Sequence, residues 1–173
     1  MGVFAFMRIA VSGTHGVGKS TLIEQFLRVH PEFVHEPEPY VVLVEDYGEE
    51  FSAVPCVEDF LRQLVFNFER LGQHAASKNV IYERCPLDFL AYMNALGASS
   101  TEALLERVSE ALRQLDIIIH LPLDNAASDC EFPKLRTKMD QQLSELLTTA
   151  DVTVVEATGS TAQRLRVIQN ALG

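Results

Sequence analysis

A glycine-rich run near the start of the chain carries the clearest chemical signal. Residues 13–21 read Gly-Thr-His-Gly-Val-Gly-Lys-Ser-Thr, a full match to the pattern G-x-x-x-x-G-K-[ST]. Glycines let successive backbone N–H groups turn toward one anion, and a following helix adds the positive end of its dipole. We therefore expect the run to bind the phosphates of a nucleoside triphosphate. The predicted nucleotide contacts are Gly13, His15, Gly16, Val17, Gly18, Lys19, Ser20 and Thr21.

Within this loop, two side chains have specific predicted roles. Lys19 can reach the β- and γ-phosphates, and the Ser20 hydroxyl can ligate Mg²⁺. The loop names no reaction, because ATPases, GTPases and kinases share it. No asparagine in the chain is followed by lysine, so the guanine-reading motif Asn-Lys-x-Asp is absent and a GTPase switch is disfavoured.

A second candidate group follows the apolar run 79–82, where Glu83 and Arg84 are adjacent. Glu83 could complete the Mg²⁺ shell, and the Arg84 guanidinium could meet a phosphoryl oxygen. The alternative is a solvated charge pair at a strand end. Asp88 follows Cys85 and Pro86, so it could either stabilise the start of a helix or contact the substrate.

Acidic residues also follow the apolar run 33–35. Phosphorylation of a hydroxyl needs a base near the acceptor oxygen, and a carboxylate at a strand end could supply it. Glu36 is the first choice because it follows the strand directly, and Glu38 is the second. The flanking prolines restrict the backbone here. An acidic, proline-rich loop without a catalytic role is the alternative.

Two further features could complete a site. The densest basic stretch of the chain is Phe132–Lys138, and Arg136 within it could close over a triphosphate as part of a lid spanning 124–138. A helix with solvated basic residues is the alternative. Gln63 lies among aromatic residues of a long predicted helix and could hold an acceptor, or it could simply be exposed beside core aromatics.

Short apolar runs alternate with longer helical patterns along the chain. This rhythm predicts parallel strands joined by helices in one doubly wound α/β domain covering residues 1–173. Segments 37–55 and 122–133 are predicted to be irregular. The predicted strands are 8–12, 33–35, 79–82, 117–121 and 152–155. The predicted helices are 19–29, 57–77, 86–97, 101–114, 134–149 and 160–172.

Composition narrows the possible partners and surroundings. The 173 residues include 14 Lys and Arg against 24 Asp and Glu, a net charge of −10, so general nucleic-acid binding is not expected. The three cysteines are too widely spaced for a CxxC motif, and their odd number favours a reducing, cytoplasmic setting. Neither a signal peptide nor a membrane helix is expected. Oligomeric state cannot be inferred.

Taken together in chain order, three motifs resemble the small P-loop nucleoside and nucleotide kinases. They are the loop 13–21, the Glu-Pro at 36–37 and ERCPLDFLAY at 83–92. The sequence is most similar to deoxynucleoside kinases and to the AAA-like kinases that include nicotinamide riboside kinases. It departs from the deoxynucleoside kinases at Cys85, where they have serine. Its candidate lid also has fewer arginines than is usual in the family.

The resemblance implies a P-loop NTPase fold with a five-stranded parallel sheet, ordered 2-3-1-4-5, and helices on both faces. It also implies Mg²⁺-dependent transfer of the ATP γ-phosphoryl group to a nucleoside-like or nucleotide acceptor, with Glu36 as base and Arg84 orienting it. A regulatory ATPase without a small acceptor, or a nucleotide-binding protein without turnover, are the alternatives. The residues implied for catalysis are Lys19, Glu36, Glu83, Arg84 and Arg136, with Glu38, Gln63 and Asp88 as candidate substrate contacts.

Overall fold

In the computed structural model, residues 6–73, 78–124 and 130–173 are described, and they contain a five-stranded parallel sheet. The strand order is β2-β3-β1-β4-β5, which confirms the order implied by the sequence resemblance. The strands are β1 Arg8–Ser12, β2 Val34–Glu36, β3 Val80–Glu83, β4 Ile117–His120 and β5 Thr153–Glu156. Each predicted strand is found, with bounds shifted by at most one residue.

Helices cover both faces of this sheet. They are α1 Lys19–Val29, α2 Pro39–Glu45, α3 Val57–Gln73, α4 Pro86–Ala95, α5 Glu102–Leu112, α6 Pro133–Thr148 and α7 Thr161–Leu172. Six of them match the predicted helices within a few residues. The predicted helix 57–77 is helical as far as Gln73, and 74–77 lie outside the described residues.

The helix α2 corrects the prediction that 37–55 is irregular throughout. Pro39 occupies the first helical position, where its missing N–H costs nothing and its fixed φ favours the helix. The helix is short and buries only Pro39 and Leu43. The flanking prolines suggested a loop, but tertiary contact between α2 and α3 stabilises a helix that local propensity alone would not.

The apolar core is divided by the sheet into two layers. On one side, Tyr82 and Phe89 belong to a cluster that includes residues of α3, α4, α5 and α6. On the other side, Leu22 and Phe26 of α1 pack with Ile168 of α7. Alternation along β1 explains the division, because Ala10 faces the first cluster while Ile9 and Val11 face the second.

Strand register brings the predicted motifs to one edge of the sheet. Val11 of β1 lies opposite Glu83 of β3, and Glu36 of β2 lies opposite Tyr82. The glycine-rich loop leaves β1 at this same carboxyl edge, where ligands of open α/β sheets bind. In the described parts of the chain, no helix has both the length and the apolar character needed to cross a membrane.

Candidate active site

The glycine-rich loop 13–18 joins β1 to α1 in a conformation that requires glycine. Gly13, Gly16 and Gly18 have φ of 149°, 74° and 93°. A Cβ added at Gly13 would lie 2.5 Å from the carbonyl oxygen of Leu121, so any side chain there would displace backbone. The loop leads directly into the N-terminus of α1, and Gly18 is the N-cap residue of this helix.

Lys19 lies inside this loop, with only 4% of its surface exposed. Its Nζ donates a hydrogen bond to the Thr14 carbonyl oxygen across 2.8 Å. Burial, assisted by the positive charge of Arg84, lowers the pKa of Lys19 to about 8. An anion held by the loop would counter both effects, so the geometry suits a polyphosphate.

Ser20 and Glu83 offer a pair of oxygen ligands beside the loop. The Ser20 hydroxyl donates to Oε1 of Glu83 across 2.7 Å, and the second Glu83 oxygen lies 4.0 Å from Nε2 of His35. Hydroxyl and carboxylate oxygens suit Mg²⁺, which takes few protein ligands and completes its shell with water and phosphate. No cluster of three His, Cys, Asp or Glu able to hold a metal occurs among the described residues.

Arg84 connects the loop to the acidic segment after β2. It is the one non-glycine residue with positive φ, 76°, in the described parts of the chain. Its Nη1 donates to the Gly13 carbonyl oxygen across 3.0 Å and lies 3.4 Å from Oδ1 of Asp88, while its Nε donates to Oε1 of Glu38 across 2.5 Å. Burial alone would lower the pKa of Arg84, but the carboxylates of Glu38 and Asp88 outweigh burial and raise it.

The two candidate acids after β2 lie in different surroundings. Glu38 lines a cavity beside the loop and faces Arg84, whose charge outweighs the effect of burial and lowers the Glu38 pKa. Glu36 instead forms an ion pair with Arg70 of α3, whose Nη1 also donates to the Pro37 carbonyl oxygen. Glu36 does not line the cavity. Of the two candidate acids, Glu38, the second choice from the sequence, is therefore the one that lines the cavity.

Asp88 is fully buried beneath the loop and does not line the cavity. Its carboxylate accepts hydrogen bonds from the Ser12 hydroxyl at 2.7 Å and from the backbone N–H of Gly13 and Cys85, each at 2.9 Å. It also completes a capping box at the start of α4. Of the two roles open from the sequence, the structure supports helix stabilisation over substrate contact, and adds that Asp88 orients the loop.

Arg136 approaches the other side of the loop from α6. Its Nη2 lies 3.6 Å from the position that a Cβ at Gly16 would take, and its Nε has no hydrogen-bond partner among the described residues. Arg136 is buried, whereas Lys134 and Lys138 on the same helix are exposed. Of the candidate lid 124–138, residues 133–138 form the start of α6, and 125–129 lie outside the described residues.

The cavity beside the loop has a volume of about 720 Å³ and mainly apolar walls. Phe60 and Tyr92 stack within it, with ring centroids 4.4 Å apart and planes at 1°. Gln63 is buried on α3, where Nε2 donates to the Asp59 carbonyl oxygen at 3.3 Å. The lining residues are His15, Gly16, Glu38, Tyr40, Val41, Phe51, Ser52, Pro55, Asp59, Phe60, Gln63, Arg84, Tyr92, Cys130, Glu131, Phe132, Leu135 and Arg136.

The remaining residues predicted to contact nucleotide are His15 and Val17 of the loop and Thr21 of α1. His15 is exposed where it lines the cavity, and its backbone N–H donates to the Tyr92 hydroxyl at 3.2 Å. Partial burial of its imidazole lowers the pKa of His15. Val17 is half-buried, and Thr21 is exposed in the first turn of α1.

Arg164 of α7 is a loop contact that the sequence did not reveal. Its Nη1 donates to the Val17 carbonyl oxygen across 2.6 Å and lies 3.3 Å from the position of a Cβ at Gly18. Its Nε is buried and has no partner among the described residues. Nothing local distinguishes Arg164 from a surface arginine of an amphipathic helix, because only the packing of α7 against α1 brings it to the loop.

Comparison with known proteins agrees with this geometry. A family model described as AAA domain matches residues 8–164. The chain belongs to this AAA domain family. The match covers the loop, the Glu38–Arg84 pair, Arg136 and Arg164. Among curated proteins, the sequence has no match.

Solved structures share the fold at low sequence identity. Thymidylate kinase from Ehrlichia chaffeensis has a TM-score of 0.64 at 14% identity, covering 98% of this chain and 100% of that one. NadR protein in complex with NR has a TM-score of 0.70 at 14% identity, covering 97% of this chain but 51% of that one. Deoxyadenosine kinase from M. mycoides with bound dATP has a TM-score of 0.61 at 18% identity, covering 96% and 98%. Family and fold confirm the resemblance to the P-loop nucleoside and nucleotide kinase group.

Proposed function

We propose that this protein transfers the γ-phosphoryl group of ATP to a small nucleoside-like or nucleotide acceptor, with Mg²⁺. The observation that carries the proposal is the Glu38–Arg84 pair, which stands between the glycine-rich loop and an aromatic-walled cavity. A phosphate-binding loop by itself accounts only for ATP binding. The adjoining cavity is large enough for a small ligand and has an acid and a cation at the end near the loop, so it could hold an acceptor for the phosphoryl group.

On the nucleotide side, the loop amides and Lys19 would hold the β- and γ-phosphates. Ser20 and Glu83 would hold Mg²⁺, which when bound neutralises charge on the phosphate oxygens. Arg136 approaches Gly16 with an unsatisfied buried Nε and would contact the transferring group. Arg164 would keep the Val17–Gly18 backbone in its nucleotide-ready shape.

On the acceptor side, a planar ring would fit against the stacked Phe60 and Tyr92, with Gln63 available for hydrogen bonding. Glu38 would accept the proton of the attacking group, in the role that the sequence assigned first to Glu36. Arg84 holds Glu38 in the ionised form that a base requires, because its charge lowers the Glu38 pKa.

The chain is proposed to act as one domain, 1–173, with the segment 124–138 closing over the nucleotide. The placement of Arg136 at the loop supports this closure, since a cation that approaches phosphate from α6 would exclude water as it closes. The exposed Lys134 and Lys138 do not face the cavity and are not assigned a role.

A panel of acceptors tests the proposal against an ATPase without a small acceptor. ADP release would be measured with Mg-ATP alone and with nucleosides, nicotinamide riboside and nucleoside monophosphates, and phosphorylated products identified by mass spectrometry. Strong stimulation by one acceptor, with its phosphorylated product, supports the kinase. A slow ADP release that no acceptor changes supports the ATPase.

A further inference from the structure

We propose that the acceptor presents an uncharged hydroxyl group, as a nucleoside does, and not the phosphate of a nucleoside monophosphate. The inference rests on the proposed function and narrows it. The structural neighbours do not decide the question, because they include both a thymidylate kinase and a deoxyadenosine kinase. The charges around the cavity are what favour a hydroxyl acceptor over a phosphate acceptor.

Cations are scarce where an acceptor phosphate would lie. All 14 lysines and arginines of the chain fall in its described parts, and of these only Arg84 and Arg136 line the cavity. A transferring γ-phosphoryl group and an acceptor phosphate would have to share them. A site for two such groups needs several guanidinium or ammonium groups, since each phosphate monoester has nearly two negative charges at neutral pH.

Arg84 is moreover already compensated by protein carboxylates. Glu38 lies 2.5 Å from its Nε and Asp88 lies 3.4 Å from its Nη1. Lys19 lies within the glycine-rich loop, where the proposed function assigns it to the ATP phosphates, and Arg62 is bound by Asp59 at 2.6 Å and by Glu49 at 3.0 Å. Among the described cations that line the cavity, an acceptor phosphate would therefore find only Arg136 without a carboxylate partner, and Arg136 approaches the loop.

The carboxylates that line the cavity also disfavour an acceptor phosphate. Glu38, Asp59 and Glu131 all line it. Glu38 stands at the loop end, where the atom that attacks the γ-phosphorus must lie. A phosphate dianion placed there would be repelled by Glu38 in a site of low dielectric constant. A neutral hydroxyl would instead donate a hydrogen bond to it.

Glu38 can act as a base in this reaction only if the acceptor is a hydroxyl group. When R–OH attacks ATP, the oxygen forms a bond to the γ-phosphorus, the bond from that phosphorus to the β,γ-bridging oxygen breaks, and the electron pair leaves with ADP. The hydroxyl proton passes to Glu38, which later releases it to solvent. Arg84 then faces a neutral acid and can bind the new phosphate monoester. A phosphate acceptor is already ionised near neutral pH and needs no such base.

The first test compares matched pairs on the wild-type protein, each pair being a nucleoside and its 5′-monophosphate, with product identified by mass spectrometry. We expect kcat/KM for the preferred nucleoside to exceed that of its monophosphate by at least about 100-fold. A monophosphate used equally well or better would overturn the inference while leaving the kinase intact. Turnover of neither, with Mg-ATP binding retained in calorimetry, would overturn the proposed function itself.

Two matched variants test whether the negative charge of Glu38 causes the preference for a nucleoside over its monophosphate. The inhibition constant of the monophosphate against its nucleoside would be measured for wild type, Glu38→Gln and Glu36→Gln. Removing the Glu38 charge should tighten monophosphate binding by roughly 10-fold, even as nucleoside turnover falls. The matched change at Glu36, which lies outside the cavity and pairs with Arg70, should leave it unaltered. Equal inhibition constants in all three proteins would contradict the proposal.

Discussion

Arg84 donates from Nε to Oε1 of Glu38 across 2.5 Å and so joins the end of β3 to the start of α2. The same guanidinium donates to the Gly13 carbonyl oxygen of the nucleotide-binding loop. One side chain thus connects the acid that we propose faces the acceptor with the loop that we propose binds the phosphates. This coupling is the structural reason to assign the two residues to one reaction.

The exchange of roles between Glu38 and Glu36 leads to opposite expectations for two matched substitutions. Glu38→Gln should lower kcat by about 100-fold, as is typical for loss of a positioned base, with a melting temperature near that of wild type. Glu36→Gln should retain most of kcat but lower the free energy of unfolding by about 2 kcal/mol, because the buried Arg70 loses its partner. Steady-state kinetics and thermal melts of both variants decide the assignment. The reverse pattern would restore Glu36 as the base.

Asp88 should matter for stability and loop order, since three hydrogen-bond donors converge on its buried carboxylate. Asp88→Ala should lower the free energy of unfolding by about 3 kcal/mol. Denaturant unfolding measures this, with Glu131→Ala, an exposed acid on a neighbouring segment, as the control for loss of a carboxylate. A stability equal to wild type would show that the loop does not depend on Asp88.

ATP binding should take up protons through Lys19. Its pKa is about 8 in the free protein, against an ordinary 10.5, and bound phosphate should raise it. Protons are therefore taken up on binding at pH values above about 8, and affinity falls as the pH rises through that region. Calorimetry at pH 8.5 in two buffers of different ionisation enthalpy measures the uptake. Lys19→Met should bind more weakly with no uptake from this group. Identical proton uptake in both proteins would exclude Lys19 as its source.

Arg164 should contribute to nucleotide affinity although it is distant from the loop in sequence. Arg164→Leu removes the hydrogen bond to the Val17 carbonyl oxygen, and we expect the Kd for Mg-ATP to rise by about 10-fold, the loss of one charge-assisted hydrogen bond. Arg166→Leu, two residues along the same helix, is the matched control and should bind as wild type. Calorimetry with Mg-ATP gives both values. Equal affinities would mean that the arginine only packs α7 against α1.

The sequence predicts the sheet, six of the helices and the nucleotide-binding loop because these depend on local signals. Apolar runs, helix starts and a fixed glycine spacing can all be recognised in the sequence itself. The choice between Glu36 and Glu38 could not be predicted in this way, because it depends on which acid contacts Arg84 and which contacts Arg70 on separate elements. Helix α2 and the contact between Arg164 and the loop were missed for the same reason, because they depend on packing against α3 and α1.

Direct detection of the transferred phosphoryl group tests the central claim most plainly. Wild-type protein and Lys19→Ala would be incubated with Mg-ATP labelled at the γ-phosphorus and a panel of nucleosides, and the products separated by chromatography. We predict label on one nucleoside in a 1:1 ratio with ADP, and its loss in the Lys19→Ala variant. Label found only in inorganic phosphate, at a rate that no nucleoside changes, would contradict the account.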